Sequence, residues 1–173
     1  MFVTFWKVWR YIINVVNFTK FYNKYREMLF AYLMRRTGDY YLSGDIMQES
    51  FTRYLNRYGD HTHSGPLLFK IARNALLDDR RKAHRNASLT EEDEPDTENP
   101  EHQLLVRDEY RRVLSALLQL GEAERDVLSL AVSSDLSYRD IAELTGTSEQ
   151  NIKVRVHRAR VKLRTILNQG DEE

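Results

Sequence analysis

The sequence predicts an all-α protein built from two small helical domains joined by an acidic linker. Three observations predict it. Apolar residues recur at steps of three and four along most of the chain, which holds only three Pro. One stretch, "SLTEEDEPDTENPEH", has seven acidic residues from Glu91 to Glu101, two Pro and no Lys or Arg. That composition cannot bury a core and reads as a linker, over residues 87–103. Charge is also segregated around it. The formal net charge is zero, but residues 1–85 carry 15 basic and 7 acidic side chains, residues 86–126 carry 4 and 12, and residues 127–173 carry 7 of each.

The 173 residues include no Cys, which excludes disulfides and thiolate metal sites and suits a reducing compartment. The chain opens on "MFVTFWKVWRYIINVVNF", rich in aromatic and β-branched residues. Lys7 and Arg10 interrupt it, and no run approaches the roughly 20 apolar residues of a membrane span. No small-residue cleavage site follows, so neither a signal peptide nor stable membrane insertion is expected. Residues 1–17 are expected to form an N-terminal aromatic extension, a helix or strand packed on the body. A partner-docking segment and an interfacial helix are the alternatives.

The first domain is expected over residues 18–86. Phe18, Phe21, Tyr22, Tyr25, Leu29, Tyr32 and Leu33 share one helical face, and Gly38 lies just past them. In "SGDIMQESFTRYLNRYG", Asp45 is expected in a first turn, where a carboxylate suits the helix dipole. Ile46, Phe51, Tyr54, Leu55 and Tyr58 line the face that follows, and Gly59 stops it. A third helix is expected with Ser64 as cap and Pro66 in its first turn. Leu68, Ile71, Ala72, Ala75 and Leu76 form its apolar stripe, with Lys70, Arg73, Asn74, Leu77, Arg80 and Arg81 elsewhere on its surface.

The second domain, residues 104–168, reads as four helices before an acidic tail at 169–173. Leu105, Tyr110, Val113, Leu114, Leu117 and Leu118 mark the first, and "EAERDVLSLAV" the second. Ser137 caps a short third helix, with Asp140 standing where a capping box usually has Glu or Gln, and Gly146 ends it. Ser148 caps the last. A short helix, a Gly-containing turn and a second capped helix make a helix-turn-helix.

On that last helix Ile152, Val156, Ala159, Leu163 and Ile166 recur at steps of four and three, so they must face the core. Lys153, Arg155, Arg158, Arg160, Lys162 and Arg164 fall largely outside the stripe. A charge run is usually a solvated face. Here the turn, the caps and the polar-then-basic order point to DNA instead. Gln150, Asn151, Lys153 and Val154 lie on the turns that can enter a major groove. Asn and Gln pair with adenine there, and Lys or Arg with guanine. Arg residues further along bond phosphate and set register.

With these segments in view, the chain resembles bacterial RNA polymerase sigma factors of the extracytoplasmic-function (ECF) group of the sigma-70 family. "LQLGEAERDVLSL", "LSYRDIAELTGTS" and "IKVRVHRARVKLR" resemble sigma region 4 in family order, and "GDIMQESFTRYL" and "LLFKIARNALLDDRRKAHR" resemble region 2. The resemblance covers roughly residues 18–167, with the acidic linker between the two sets. There are departures. Leu67 stands where Trp is frequent, Gly121 where Pro is common, and Val154 in place of a frequent Ser.

The resemblance implies a transcription initiation factor that binds core RNA polymerase, recognises the −10 and −35 promoter elements and assists melting. It implies docking on the β′ clamp through Asp45, Gln48, Glu49 and Arg53, and contact with the β flap. Lys70, Arg73, Asn74, Arg80, Arg81 and Lys82 would follow the non-template strand at the −10 element. A cationic stripe of that kind tracks phosphates, and an extruded base needs a pocket with amide groups, for which Asn74 and the loop "YGDHTHSG" are candidates. Gln150, Asn151, Lys153, Val154, Arg155 and Arg158 would read the −35 element. An anti-sigma factor is a further implied partner, and a cytoplasmic location is implied with the polymerase.

No catalytic residue, cofactor or metal is expected. His61 and His63 have no carboxylate or Cys support at ligand spacing. Adjacent Asp78 and Asp79 point apart on a helix, against a nuclease metal site. A stand-alone dimeric helix-turn-helix regulator would share the C-terminal signal but leaves "DIMQESF" unexplained.

Overall fold

The computed structural model describes residues 2–59, 63–87 and 108–169, and the acidic linker and the loop residues Asp60 to Thr62 lie outside them. Among the described residues there are seven helices and no strand. They are α1 (Phe2–Thr37), α2 (Tyr40–Tyr58), α3 (Gly65–Ala87), α4 (Asp108–Leu118), α5 (Glu122–Ser133), α6 (Tyr138–Thr145) and α7 (Glu149–Gln169). Helix α1 crosses the expected boundary at residue 17 without a break, so the aromatic extension and the first element of the domain are one helix.

Helices α1 to α3 bury Phe21, Leu29, Tyr32, Leu33, Ile46, Phe51, Tyr54, Leu68, Ala72 and Leu76 against one another. Phe69, which the predicted stripe omitted, is also fully buried, its ring 5.6 Å from that of Tyr32. Phe21 sits among the rings of Tyr25 at 4.9 Å, Tyr54 at 5.1 Å and Phe51 at 6.3 Å. Such offset and edge-on ring pairs add about 0.5–1.5 kcal/mol each beyond burial. The Tyr54 hydroxyl accepts a hydrogen bond from the Ser64 amide at 2.8 Å, tying the start of α3 to α2. A Cβ at Gly65 would stand 2.7 Å from the Tyr25 ring, so a side chain there would push the tip of that ring aside.

Helix α2 starts one turn earlier than its sequence pattern suggested. Gly38, at φ 74°, ends α1, and Asp39 caps α2 through a 2.9 Å bond from the Leu42 amide. Asp45 therefore lies inside the helix and not in its first turn, and Gly44 is a helical residue with open space at its Cβ position.

Helices α4 to α7 bury Leu117, Leu120, Val127, Leu128, Leu130, Ile141, Leu144, Ile152, Val156 and Ala159. Tyr110, Val113 and Leu118, expected to face the core, are 38–39% exposed, because α4 lies at the edge of the domain and only Ala116 and Leu117 turn fully inward. Leu118 instead approaches the other domain, where a Cβ on Gly38 would meet its Cδ1 at 2.7 Å. The capping box of α6 is complete: Ser137 Oγ accepts from the Asp140 amide at 3.1 Å, and Asp140 Oδ2 accepts from the Ser137 amide at 2.9 Å. Gly146, at φ 68° in the left-handed region, then turns the chain toward α7.

The two domains pack directly on each other. Helix α5 lies against α1, and α3 faces the second domain through Arg73 and Arg80. Nothing in the local sequence pattern specified this contact.

Candidate nucleic-acid and polymerase interfaces

Helix α7 is held by its buried stripe. Ile152, Val156 and Ala159 are at most 1% exposed, while Gln150, Asn151, Lys153, Val154, Arg155 and Arg158 all face outward. The six predicted residues thus fall on one solvent-facing surface, beginning at the first turn. The entry to that turn is fixed by Ser148, whose Oγ accepts from the Asn151 amide at 3.2 Å, and by Asn151 Nδ2, which donates to Thr147 Oγ1 at 3.3 Å. Lys153 lies 2.8 Å from Glu149 one turn back, and that hydrogen bond and charge raise its pKa. The ammonium is therefore firmly cationic at neutral pH and sits on the first two turns, where a groove-reading helix makes base contacts.

On α2, Asp45, Gln48 and Glu49 are exposed and Arg53 is half-exposed. They form a continuous band with two sides. Asp45 and Gln48 border a depression also lined by Phe30, Tyr40, Tyr41 and Met47. Glu49 accepts two hydrogen bonds from Arg53, at 3.1 and 2.7 Å, and Arg53 leans toward Asp78 of α3 at 3.6 Å. Tyr40 and Tyr41, 49% and 53% exposed, were not singled out in the sequence. Their available signal was a pair of adjacent aromatics ahead of the apolar stripe, only one face of which the helix could bury.

The α3 cations divide into two rows. Lys70, Asn74, Arg81 and Lys82 face solvent. Arg81, Lys82 and Arg85 form with Arg53 and Asp78 a mostly basic groove between α2 and α3. Arg73 and Arg80, two helical turns apart on the adjacent row, point instead at the second domain. Arg73 Nε donates to Asp126 Oδ2 at 2.8 Å, and Arg80 pairs with Glu122. Burial opposes the Arg73 charge, but the hydrogen bond and the charge of Asp126 outweigh it and raise its pKa. The structure therefore presents only part of the predicted α3 set to solvent. His63 is exposed and packs its ring edge-on to Phe21 at 5.6 Å.

Comparison with known proteins identifies the two domains. The family model for sigma-70 region 2 matches residues 21–86, and that for sigma-70 region 4 matches residues 110–163. The two modules are those of promoter-recognition subunits. The chain belongs to the ECF sigma factors of RNA polymerase. It is 28% identical over 157 residues to ECF RNA polymerase sigma factor SigM of Bacillus subtilis, covering 86% of this chain and 94% of that protein. It is 30% identical over 155 residues to ECF RNA polymerase sigma factor SigL of Mycobacterium tuberculosis, covering 86% and 87%. Its fold matches that of the sigma factor RpoE solved with the anti-sigma factor NepR from Bartonella quintana, at TM-score 0.73 and 24% identity, over 87% of this chain and 96% of that one. The protein is accordingly a transcription initiation factor that binds core RNA polymerase and directs it to promoter DNA. No described helix is long and apolar enough to cross a membrane.

Proposed function

We propose a division of labour among three surfaces. The outward face of α7 reads the −35 element, with Gln150, Asn151, Lys153 and Val154 at base edges, Arg158 close behind, and Arg155 on the backbone. Helix α3 follows the non-template strand at the −10 element through Lys70, Arg73, Asn74, Arg80, Arg81 and Lys82, with Asn74 offering amide groups to an extruded base. The band Asp45, Gln48, Glu49 and Arg53 docks on the β′ clamp, and the second domain meets the β flap. The chain makes no bonds itself. The polymerase does the chemistry, and the protein works where the polymerase works, in the cytoplasm. An anti-sigma factor is a fitting further partner, since the RpoE fold it shares was solved with one.

The observation that carries this reading is the exposure of all six α7 residues opposite a stripe buried to 1% or less. It is tested by transcription with purified core polymerase over a library of −35 variants. Lys153→Ala should flatten preference at one position of the element. Arg155→Ala should lower transcription from every variant alike and reduce the salt slope by roughly one counterion. Equal, sequence-blind losses for both would mean that α7 positions the protein without reading sequence.

A further inference from the structure

Helix α1 carries two apolar lines on opposite sides, one in each half. Its core line runs through Phe18, Phe21 and Tyr25, of which Phe21 is buried and the other two pack against the core. Followed back toward the start of the helix by steps of four and three, the same line passes through Asn14, Tyr11, Lys7 and Thr4. There it is polar. The apolar residues of that half, Phe2, Phe5, Trp9, Ile12 and Val16, recur at steps of three and four on another line, with Trp6 and Ile13 beside them. Trp9 and Phe18 are nine positions apart, about two and a half turns, so the two lines lie half a turn from each other. Continued forward from Val16, the second line reaches Lys20, Asn23 and Glu27, all exposed.

This change of phase rules out the core of the first domain as cover for the first four turns. The helix runs without a break across residue 17, and the apolar line of residues 2–16 is in register with its outer side. Charge narrows the occupant. Residues 1–26 hold Lys7, Arg10, Lys20, Lys24 and Arg26 and no Asp or Glu. A second copy of this helix would bring like charges together, with no carboxylate in the segment to pair them. Phosphates would pair them. Aromatic content points the same way. Both tryptophans of the chain, Trp6 and Trp9, belong to the apolar side with Phe2 and Phe5, a composition that suits the boundary between lipid headgroups and acyl chains. Helix over residues 2–16 spans about 22 Å, short of the roughly 30 Å core of a bilayer. No described helix is long and apolar enough to cross one.

We propose that residues 2–16 are an interfacial helix for an anionic lipid surface. It lies in the plane of that surface, with the line from Phe2 to Val16 at the acyl boundary and Lys7 and Arg10 at the phosphates. The inference does not depend on the promoter and polymerase assignments. Two cations and one short apolar line give a reversible hold, not an anchor, and salt weakens it. The segment stands ahead of the first domain. The α7 face and the Asp45, Gln48 and Glu49 band are exposed on other helices, so lipid contact and promoter contact use separate surfaces.

The test uses the full chain. Trp6 and Trp9 are its only tryptophans, so intrinsic emission reports this segment without a label. Vesicles of phosphatidylglycerol and phosphatidylcholine in equal parts should shift that emission to shorter wavelength and co-sediment the protein, and added salt should reverse both. Vesicles of phosphatidylcholine alone should do neither. Lys7→Gln with Arg10→Gln should weaken binding to the anionic vesicles roughly 25-fold, about fivefold for each cation. Ile12→Ser with Ile13→Ser should abolish it while transcription with core polymerase stays at the parent level. Helical content checks that this second variant folds, and the Lys7 and Arg10 variant carries the test if it does not. An emission that anionic vesicles leave unchanged overturns the inference, and so does an equal shift with phosphatidylcholine alone. A lipid-free dimer that Ile12→Ser with Ile13→Ser dissolves would give the face to a second copy. A fall in core-polymerase affinity for that folded variant would give it to the polymerase. Either result overturns the lipid assignment, and the −35 library outcome stands in each case.

Discussion

Ile152 and Val154 are two residues apart on α7 and should fail in opposite ways. Ile152 is fully buried between α6 and the rest of the second domain, and Val154 is 44% exposed on the outward side. Ile152→Ala removes three carbons from a packed core and leaves a cavity, a loss of about 2–5 kcal/mol. For a chain of this size that corresponds to a fall in Tm of roughly 2–4 °C per kcal/mol. Val154→Ala removes no core contact, and Ala exceeds Val in helix propensity by up to roughly 0.7 kcal/mol. It should leave stability unchanged or slightly raised. Denaturant unfolding of the two variants measures the first difference, and transcription from the −35 library measures the second. Ile152→Ala should depress all promoters together as the domain loosens. Val154→Ala should change the ranking of −35 variants, because a methyl-bearing side chain on the exposed face meets base edges by apolar contact. If Val154→Ala destabilises as much as Ile152→Ala, or Ile152→Ala alone reorders the promoters, the inward and outward faces of α7 are wrongly assigned.

Two further outcomes follow from the site geometry. Gln48→Ala with Glu49→Ala should weaken affinity for core polymerase while leaving helical content intact, since both side chains are exposed; a parent-like affinity would refute the docking band. Ser137→Ala removes the acceptor of the 3.1 Å bond from Asp140 and should cost about 1 kcal/mol of stability, read by thermal unfolding, with −35 affinity falling in step because α6 sets the position of α7.

The helices, their order and the split between the faces of α7 were legible because each is a local pattern. Steps of three and four, a Ser cap and a Gly stop act within a few turns of chain. The start of α2 was misplaced for an equally local reason. Two Gly-Asp pairs stand near that start, at 38–39 and 44–45, and either pair could open a helix. Only the first does so, because Gly38 takes a positive φ and Asp39 turns its carboxylate onto the Leu42 amide. The ion cluster was not legible. Its bonds join residues 94 positions apart, Tyr32 to Asp126, and 53 apart, Arg73 to Asp126. An Asp on a short amphipathic helix reads as solvated until the partner domain is placed over it. For the same reason the α3 cations read as one stripe, although the structure separates an exposed row from a row held by carboxylates.

That separation bears on why the contact between domains is ionic. Burying an ion pair gains little net stability, since desolvation offsets most of the attraction, yet removing one partner costs about 3–5 kcal/mol. Such a contact is therefore weak against exchange and strong against simple loss. Arg73 and Arg80 each hold a carboxylate of the second domain through a charge-assisted contact.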